Sequence, residues 1–125
     1  MSPHIFSVGY SRAVRAGNLI FVSGTTASGP DGKALHPGKP GQQTRVILDR
    51  IEAALIKLGG SLDQVVETRI YLCDISQWEA VGKVHGEVFA AIRPATTMVE
   101  VSRLIASDLV VEISATAILD SDTTS

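Results

Sequence analysis

Between Gln42 and Pro94 the spacing of apolar residues switches from helical to alternating and back to helical, an order that leaves few architectures open. Ile47, Ile51, Ala54, Leu55 and Leu58 recur at the three-and-four spacing that gathers side chains on one face of a helix, and Gly59-Gly60 supplies the stop. From Val65 to Cys73 the pattern alternates. It predicts a half-buried strand with Val66, Thr68, Ile70 and Leu72 on one face and Glu67, Arg69, Tyr71 and Cys73 on the other. Ser76-Gln77-Trp78-Glu79 then has the form of a capping box, in which serine oxygen and glutamate carboxylate each satisfy a free backbone N–H at a helix start. Trp78, Val81, Val84, Val88, Phe89 and Ile92 continue at helical spacing until Pro94 forbids extension. Each element has a single apolar face, so all of them must share one core.

The flanking segments add strands. Ile5 to Val8 and Leu19 to Ser23 are short apolar runs on either side of a Gly17-Asn18 turn signal, and they predict a hairpin. Residues 28 to 41 are too rich in glycine and proline for regular structure and form the longest loop. Two final strands are predicted at about 96 to 104 and 109 to 119, before a polar tail that begins near Asp120. In the last strand Val111, Ile113, Ala115, Ala117 and Leu119 share one face, while Glu112, Ser114 and Thr116 share the other. The resulting order, ββ, helix, β, helix, ββ, predicts one α+β domain over residues 1–125 with both helices on one face of a mixed sheet.

Composition narrows the function classes. The formal charge is −2, and the 11 Lys and Arg residues are scattered from Arg12 to Arg103 without a run. The basic stripe of a nucleic-acid binder is missing, and no aromatic residue sits in an RNA-stacking motif. Cys73 is the only cysteine, so no internal disulfide can form, and a reducing compartment fits. No apolar run approaches membrane-spanning length and residues 1 to 20 lack a signal-peptide layout, so no membrane contact and a cytoplasmic location are expected. His4, His36 and His85 are dispersed, and no HxH, HExxH or CxxC occurs, so no metal site is expected. The loop around Gly38 and Gly41 lacks the Lys-Ser/Thr of a phosphate loop, and no cofactor is expected. A domain of this size buries only about two thirds of its unfolded surface, which makes pairing with copies of itself a natural source of further burial.

The run Arg93-Pro94-Ala95-Thr96-Thr97-Met98-Val99-Glu100-Val101, followed by Val111-Glu112-Ile113, resembles the C-terminal signature of the YjgF/RidA superfamily. Gly9-Tyr10-Ser11 and Ser23-Gly24 extend the resemblance over nearly the whole chain. The resemblance implies a chorismate-mutase-like fold, a homotrimer whose sheets form a central barrel, and pockets for a small-molecule ligand in clefts between neighbouring subunits. Members of this superfamily are often described as enamine/imine deaminases, and some carry an endoribonuclease label that the charge pattern here does not support.

Two departures bear on chemistry. Deaminating relatives place an arginine where this chain has Thr96, and a second glutamate where it has Ser114. The arginine is understood to clamp a substrate carboxylate through two parallel charge-assisted bonds, whereas a threonine hydroxyl offers one neutral bond. The glutamate is thought to position or activate a water, work for which the Ser114 hydroxyl is too weak a base near neutral pH. Deamination of 2-imino acids by the family mechanism is therefore not expected.

Other candidates come from the same matching. His85 falls where relatives often carry a pocket-lining tyrosine, and an imidazole there could act as acid or base near pH 7. Read without the family, it is a polar residue beside the apolar stripe of a helix, equally suited to a structural role. Tyr10, Ser23 and Gly24 match segments that line the family cleft, and Thr96 and Ser114 would shape its wall. Arg93, with Arg12 and Arg103 as further choices, could hold a ligand anion or serve as a surface or subunit ion pair. The Cys73 thiol would need a nearby cation or helix N-terminus to become a nucleophile.

Overall fold

The computed structural model describes residues 8–120. Five strands form a single sheet, and two α-helices pack on one of its faces. The elements run β1 (Ala13–Ala16), β2 (Leu19–Thr25), α1 (Pro40–Lys57), β3 (Val65–Leu72), α2 (Trp78–Phe89), β4 (Ala95–Glu100) and β5 (Val111–Ile118). The strand order is β1-β2-β5-β3-β4. All neighbours are antiparallel except β3 and β4, which are parallel because α2 carries the chain back over the sheet between them.

The core lies between the helices and the inner face of the sheet. Ile47, Ile51 and Leu55 of α1 and Val81 and Phe89 of α2 meet Ile20, Val22, Ile70, Leu72 and Ile113, and all are essentially removed from solvent. Each such side chain contributes about 1.5–3 kcal/mol on burial, so truncating one of them to alanine costs about 2–5 kcal/mol. Of the buried polar residues Thr25, Gln43, Thr44 and Thr68, Gln43 makes the most hydrogen bonds. Its side-chain amide donates to the carbonyls of Leu35 (3.2 Å), His36 (3.1 Å) and Asp108 (2.9 Å), and its oxygen accepts from the Val110 amide (3.0 Å). One side chain on α1 thus fastens both long loops. Among the described residues no helix is long and apolar enough to cross a membrane.

Several local expectations need correction. The strand expected at Ile5 to Val8 lies outside the described residues apart from Val8, which is not in a strand. The partner of β2 is instead β1, and Gly17 takes φ 63° at the first turn position, where a type II′ hairpin turn requires glycine. The tail beyond Asp120 also lies outside the described residues. Helix α1 starts at Pro40 rather than Gln42, since proline at the first turn loses no intrahelical bond.

In β3 the buried residue is Val65, and Val66 is exposed. A register shift between Val65 and Glu67 against β5 breaks the alternation at that point. The capping box does not form. A 3-10 turn at Ile75–Gln77 precedes α2, and Asp74 caps that turn by accepting from the Ser76 amide and hydroxyl. Helix α2 closes at Phe89, three residues early, where Arg93 with φ 58° donates its amide to the Phe89 carbonyl (2.8 Å). Arg93 is therefore left-handed, not extended as the following proline would favour. Strand β4 stops at Glu100 rather than near residue 104 because its sole partner, β3, ends at Leu72, and the next amide, of Cys73, turns to Val110.

Candidate functional site

The outer face of the sheet carries Glu112, Ser114 and Thr116 of β5, as the alternation predicts, flanked by Tyr71 and Arg69 of β3. Beside them β2 is bulged, with Val22 opposite Ala115 but Thr25 opposite Ile113. The extra residue keeps Val22 and Thr25 both buried and leaves Ser23-Gly24 on the outer side. An open cleft of about 340 Å³ results, lined by Gly24, Tyr71, Glu112 and Ser114 from the strands and by Val101, Arg103 and Leu104 from the loop after β4. A Cβ at position 24 would overlap the Glu112 carboxylate where it now lies, so a side chain there would push that carboxylate aside. Burial raises the pKa of Glu112, and its carboxylate has no hydrogen bond or ion pair among the described residues.

A second cleft of about 380 Å³ opens at the C-terminal end of α2, between His85, Gly86, Phe89 and Ala90 and the Arg93-Pro94 corner. His85 is held by two contacts. Its ring leans on that of Phe89 (centroids 4.7 Å apart), and Nε2 lies 2.9 Å from the Thr68 hydroxyl. Thr68 is fully buried on β3 and also meets the Thr96 hydroxyl at 2.8 Å, which in turn donates to the Pro94 carbonyl at 3.2 Å. A hydroxyl has a single hydrogen to give, so when Thr96 donates to Pro94, Thr68 donates to Thr96 and His85 donates from Nε2, which puts the ring lone pair on Nδ1; when Thr96 donates to Thr68, the order reverses. Burial lowers the His85 pKa, which keeps the ring neutral at pH 7.

The candidate residues fall into two groups. Gly24 and Ser114 line the outer cleft, and His85 and Arg93 line the cleft at the end of α2. Thr96 joins the second group through Thr68. Its register partner Thr68 faces the helices, whereas Ser114 pairs with the outward Arg69, so Thr96 and Ser114 stand on opposite faces of the sheet. One pocket holding both must draw them from two copies of the chain. Ser23 uses its hydroxyl to hold the N-terminal segment, donating to the Ser11 carbonyl (2.7 Å), and the exposed Tyr10 lines neither cleft.

Of the alternative arginines, Arg103 reaches the outer cleft. Arg12 instead lies close enough to Arg50 that its charge adds to burial in lowering the pKa of Arg50. Cys73 directs its thiol to the Leu109 carbonyl at 3.7 Å. Among the described residues no three of His, Cys, Asp and Glu converge on a point that could hold a metal ion.

Sequence reasoning gave too little weight to Thr68, Tyr71 and Glu112. The pairing of Tyr71 with Glu112 across β3 and β5 is a register that no local pattern displays. Thr68 does carry a signal, as the one hydroxyl among the aliphatic inner residues of β3.

The profile of the endoribonuclease L-PSP family matches residues 4–119. A 3-aminoacrylate deaminase, RutC, from Acinetobacter baylyi is 34% identical over 108 residues, which cover 86% of this chain and 85% of that one. Among solved structures, a Mycobacterium tuberculosis member of the YjgF/YER057c/UK114 family superposes with a TM-score of 0.86 at 51% identity, covering 94% of this chain and 93% of that one. Escherichia coli TdcF, solved with bound serine, superposes at 0.79 with 25% identity, covering 89% and 88%. The matched profile, the sequence relative and the shared sheet with its two helices agree, and the chain belongs to the YjgF/RidA family, whose members point to work on small molecules.

Proposed function

We propose that this chain is a cytoplasmic RidA-like homotrimer that binds a reactive imine- or enamine-type metabolite in a cleft between subunits and transforms it by hydrolysis or tautomerisation. His85 is the acid/base, and Tyr10, Ser23, Gly24, Arg93, Thr96 and Ser114 contribute to the walls. The observation that carries the reading is the His85–Thr68–Thr96 chain of hydrogen bonds, which fixes the imidazole through Nε2 and leaves Nδ1 clear of the buried hydroxyls. An orienting hydrogen bond on one ring nitrogen is what a general base needs on the other.

The split of the candidates between two faces supports a composite site. So does the outer sheet face, on which Val14, Phe21, Val99 and Ile118 all stay exposed in the single chain. Apolar surface of that extent is the usual mark of a subunit contact. The RutC relative is named for 3-aminoacrylate and TdcF holds serine, which supports a small nitrogen-bearing ligand. Thr96 and Ser114 argue against standard 2-imino-acid deamination, because neither the cation nor the second carboxylate of deaminating relatives is present.

The test is ammonia release from freshly generated 2-aminoacrylate or 2-iminobutyrate, comparing the natural chain with Thr96→Arg/Ser114→Glu, beside the mass of the assembly in solution. A trimer that is inactive until the double variant restores activity supports the reading. An active natural chain would mean that another cation holds the carboxylate. A monomer would end the inter-subunit site.

The neutral, hydroxyl-lined wall also favours a second reading, a regulatory trimer that binds a metabolite without turnover. Saturable binding with no product distinguishes it. RNA cleavage is the least favoured, given a net charge of −2 and no basic stripe, and RNA surviving incubation with pure protein would remove it.

A further inference from the structure

Two arginines from separate elements come together at the end of β2 without a carboxylate between them. Arg50 of α1 reaches the chain just beyond β2, where its Nη1 donates to the Thr26 carbonyl at 2.8 Å. Arg12, immediately before β1, is held beside the same end of β2. The Ser23 amide donates to the Arg12 carbonyl at 3.0 Å, and the Ser23 hydroxyl donates to the Ser11 carbonyl at 2.7 Å. Both arginines are partly buried, and burial together with the charge of Arg12 lowers the pKa of Arg50. Neither is in an ion pair among the described residues, where only Arg45–Glu87 and Arg69–Glu67 are paired. The sequence offers no local acid to supply one. On α1 the positions three and four residues from Arg50 are Val46, Ile47, Ala53 and Ala54, whereas Asp49 and Glu52 stand on other faces of the helix. The seven residues before Val8 contain no Asp or Glu. Two like charges drawn out of water together are unfavourable until an anion joins them, and of its five donors Arg50 spends one on Thr26.

We propose that Arg12 and Arg50 form a site for a small dianionic oxyanion, a phosphate group, outside both clefts, whose linings include neither residue. Guanidinium forks match the oxygens of a phosphate in pairs through charge-assisted bonds. A dianion neutralises both charges, where a single carboxylate would neutralise one. The bonds through Ser23 hold the Arg12 backbone and the Thr26 carbonyl holds the Arg50 guanidinium before the anion arrives, which reduces the ordering cost of binding. The same group occurs as free phosphate and as the phosphate monoester of a metabolite.

The experiment uses the full chain at about pH 7.5, where phosphate groups are mainly dianionic. Sodium phosphate, methyl phosphate and sodium acetate are the probes, against sodium chloride at matched ionic strength. Binding is followed by amide NMR shifts, and the assembly of each variant by light scattering. The expected result is saturable binding of phosphate that moves the Arg12 and Thr26 signals, weakened at least about tenfold in Arg12→Gln and in Arg50→Gln. Arg50→Lys keeps the charge and loses the fork, so it should weaken binding less than Arg50→Gln does. Arg50→Gln also gives up the Thr26 bond, which makes Arg12→Gln the deciding variant. Methyl phosphate bound as tightly as inorganic phosphate would support the proposal with a metabolite's phosphate as the source, and inorganic phosphate bound alone would support it with the free ion. Arg12→Gln binding phosphate as tightly as the natural chain would overturn it, and so would shifts that follow ionic strength alone. Acetate bound in preference to phosphate would overturn the choice of a dianion. Loss of assembly in Arg12→Gln would overturn the site itself and assign the arginines to a carboxylate on a second copy of the chain.

Discussion

The hydroxyl of Thr68 stands 2.9 Å from Nε2 of His85, so a residue that β3 buries completely sets the orientation of one that α2 presents to a cleft. The same hydroxyl reaches Thr96 on β4. Thr68→Val keeps the shape and removes a hydroxyl that links the helix to both parallel strands. The half-buried His85 loses its partner, at a cost of about 1–3 kcal/mol, whereas the exposed Thr96 keeps Pro94 and reaches water. Urea unfolding should show this loss. Thr68→Ser keeps the hydroxyl and should lose only about 1 kcal/mol, for the missing methyl. Equal losses in the two variants would mean that packing, not the hydroxyl, is what matters at this position.

Gln43 fastens two loops at once, and replacing it tests whether they are held independently. In Gln43→Leu the Val110 amide and the Leu35 carbonyl lose their partner together, while the His36 and Asp108 carbonyls keep the Lys39 and Gly38 amides. Partly buried groups left unpaired cost about 1–3 kcal/mol each, so a total of at least about 2 kcal/mol is expected. Gln43→Glu should be no milder, because a carboxylate oxygen would face three carbonyl oxygens. Amide exchange at Val110 is the direct readout. Unchanged protection there in Gln43→Leu would show that the loop is held from elsewhere.

The fold was legible wherever a segment has one apolar face and a clear stop, as from Ile47 to Gly59 and along β5. It was less legible where tertiary pairing overrides local pattern. Val65 displaces Val66 from the core only because β3 slips against β5, and β4 ends early only because β3 does. The capping box at Ser76 lost to Asp74, whose carboxylate accepts both the amide and the hydroxyl of Ser76 and so takes up the serine that the box requires. Residue types gave the candidate site, but not its division into two clefts. Thr96 and Ser114 were matched by alignment, and only the strand register shows that they face opposite ways.

Arg93 holds a left-handed conformation, φ 58°, to close α2 before Pro94. A side chain in that region costs about 1–2 kcal/mol relative to its preferred backbone, and glycine escapes most of that cost. Arg93→Gly should therefore be as stable as the natural chain or more stable by up to about 1 kcal/mol, and Arg93→Val should be less stable by at least that much. Melting temperatures of the two variants decide this. If Arg93→Gly retains full ligand affinity, the guanidinium is not part of the ligand site, and position 93 serves the helix terminus alone.

His85 gives the chain a pH dependence whose sign follows from burial. Desolvation lowers its pKa in the folded chain below the ordinary 6.5, because the imidazolium is penalised more than the neutral ring. Between the lowered value and 6.5 the unfolded chain binds more protons than the folded one, so stability falls as pH drops through that window. Above the window the contribution is complete, and below the folded-state value its loss is complete. Other titrating groups are common to the natural chain and His85→Gln, so the difference between the two isolates this residue. The natural chain should lose stability relative to the variant between pH 7 and pH 5, read from urea midpoints, and the two should run parallel above pH 7. Parallel curves throughout would show that the fold does not discriminate between the two protonation states. Where turnover is found, the same lowered pKa should keep the natural enzyme active into mildly acidic solution, and His85→Gln should flatten the acid limb of kcat/KM. An acid limb unchanged in that variant would assign the base to another residue.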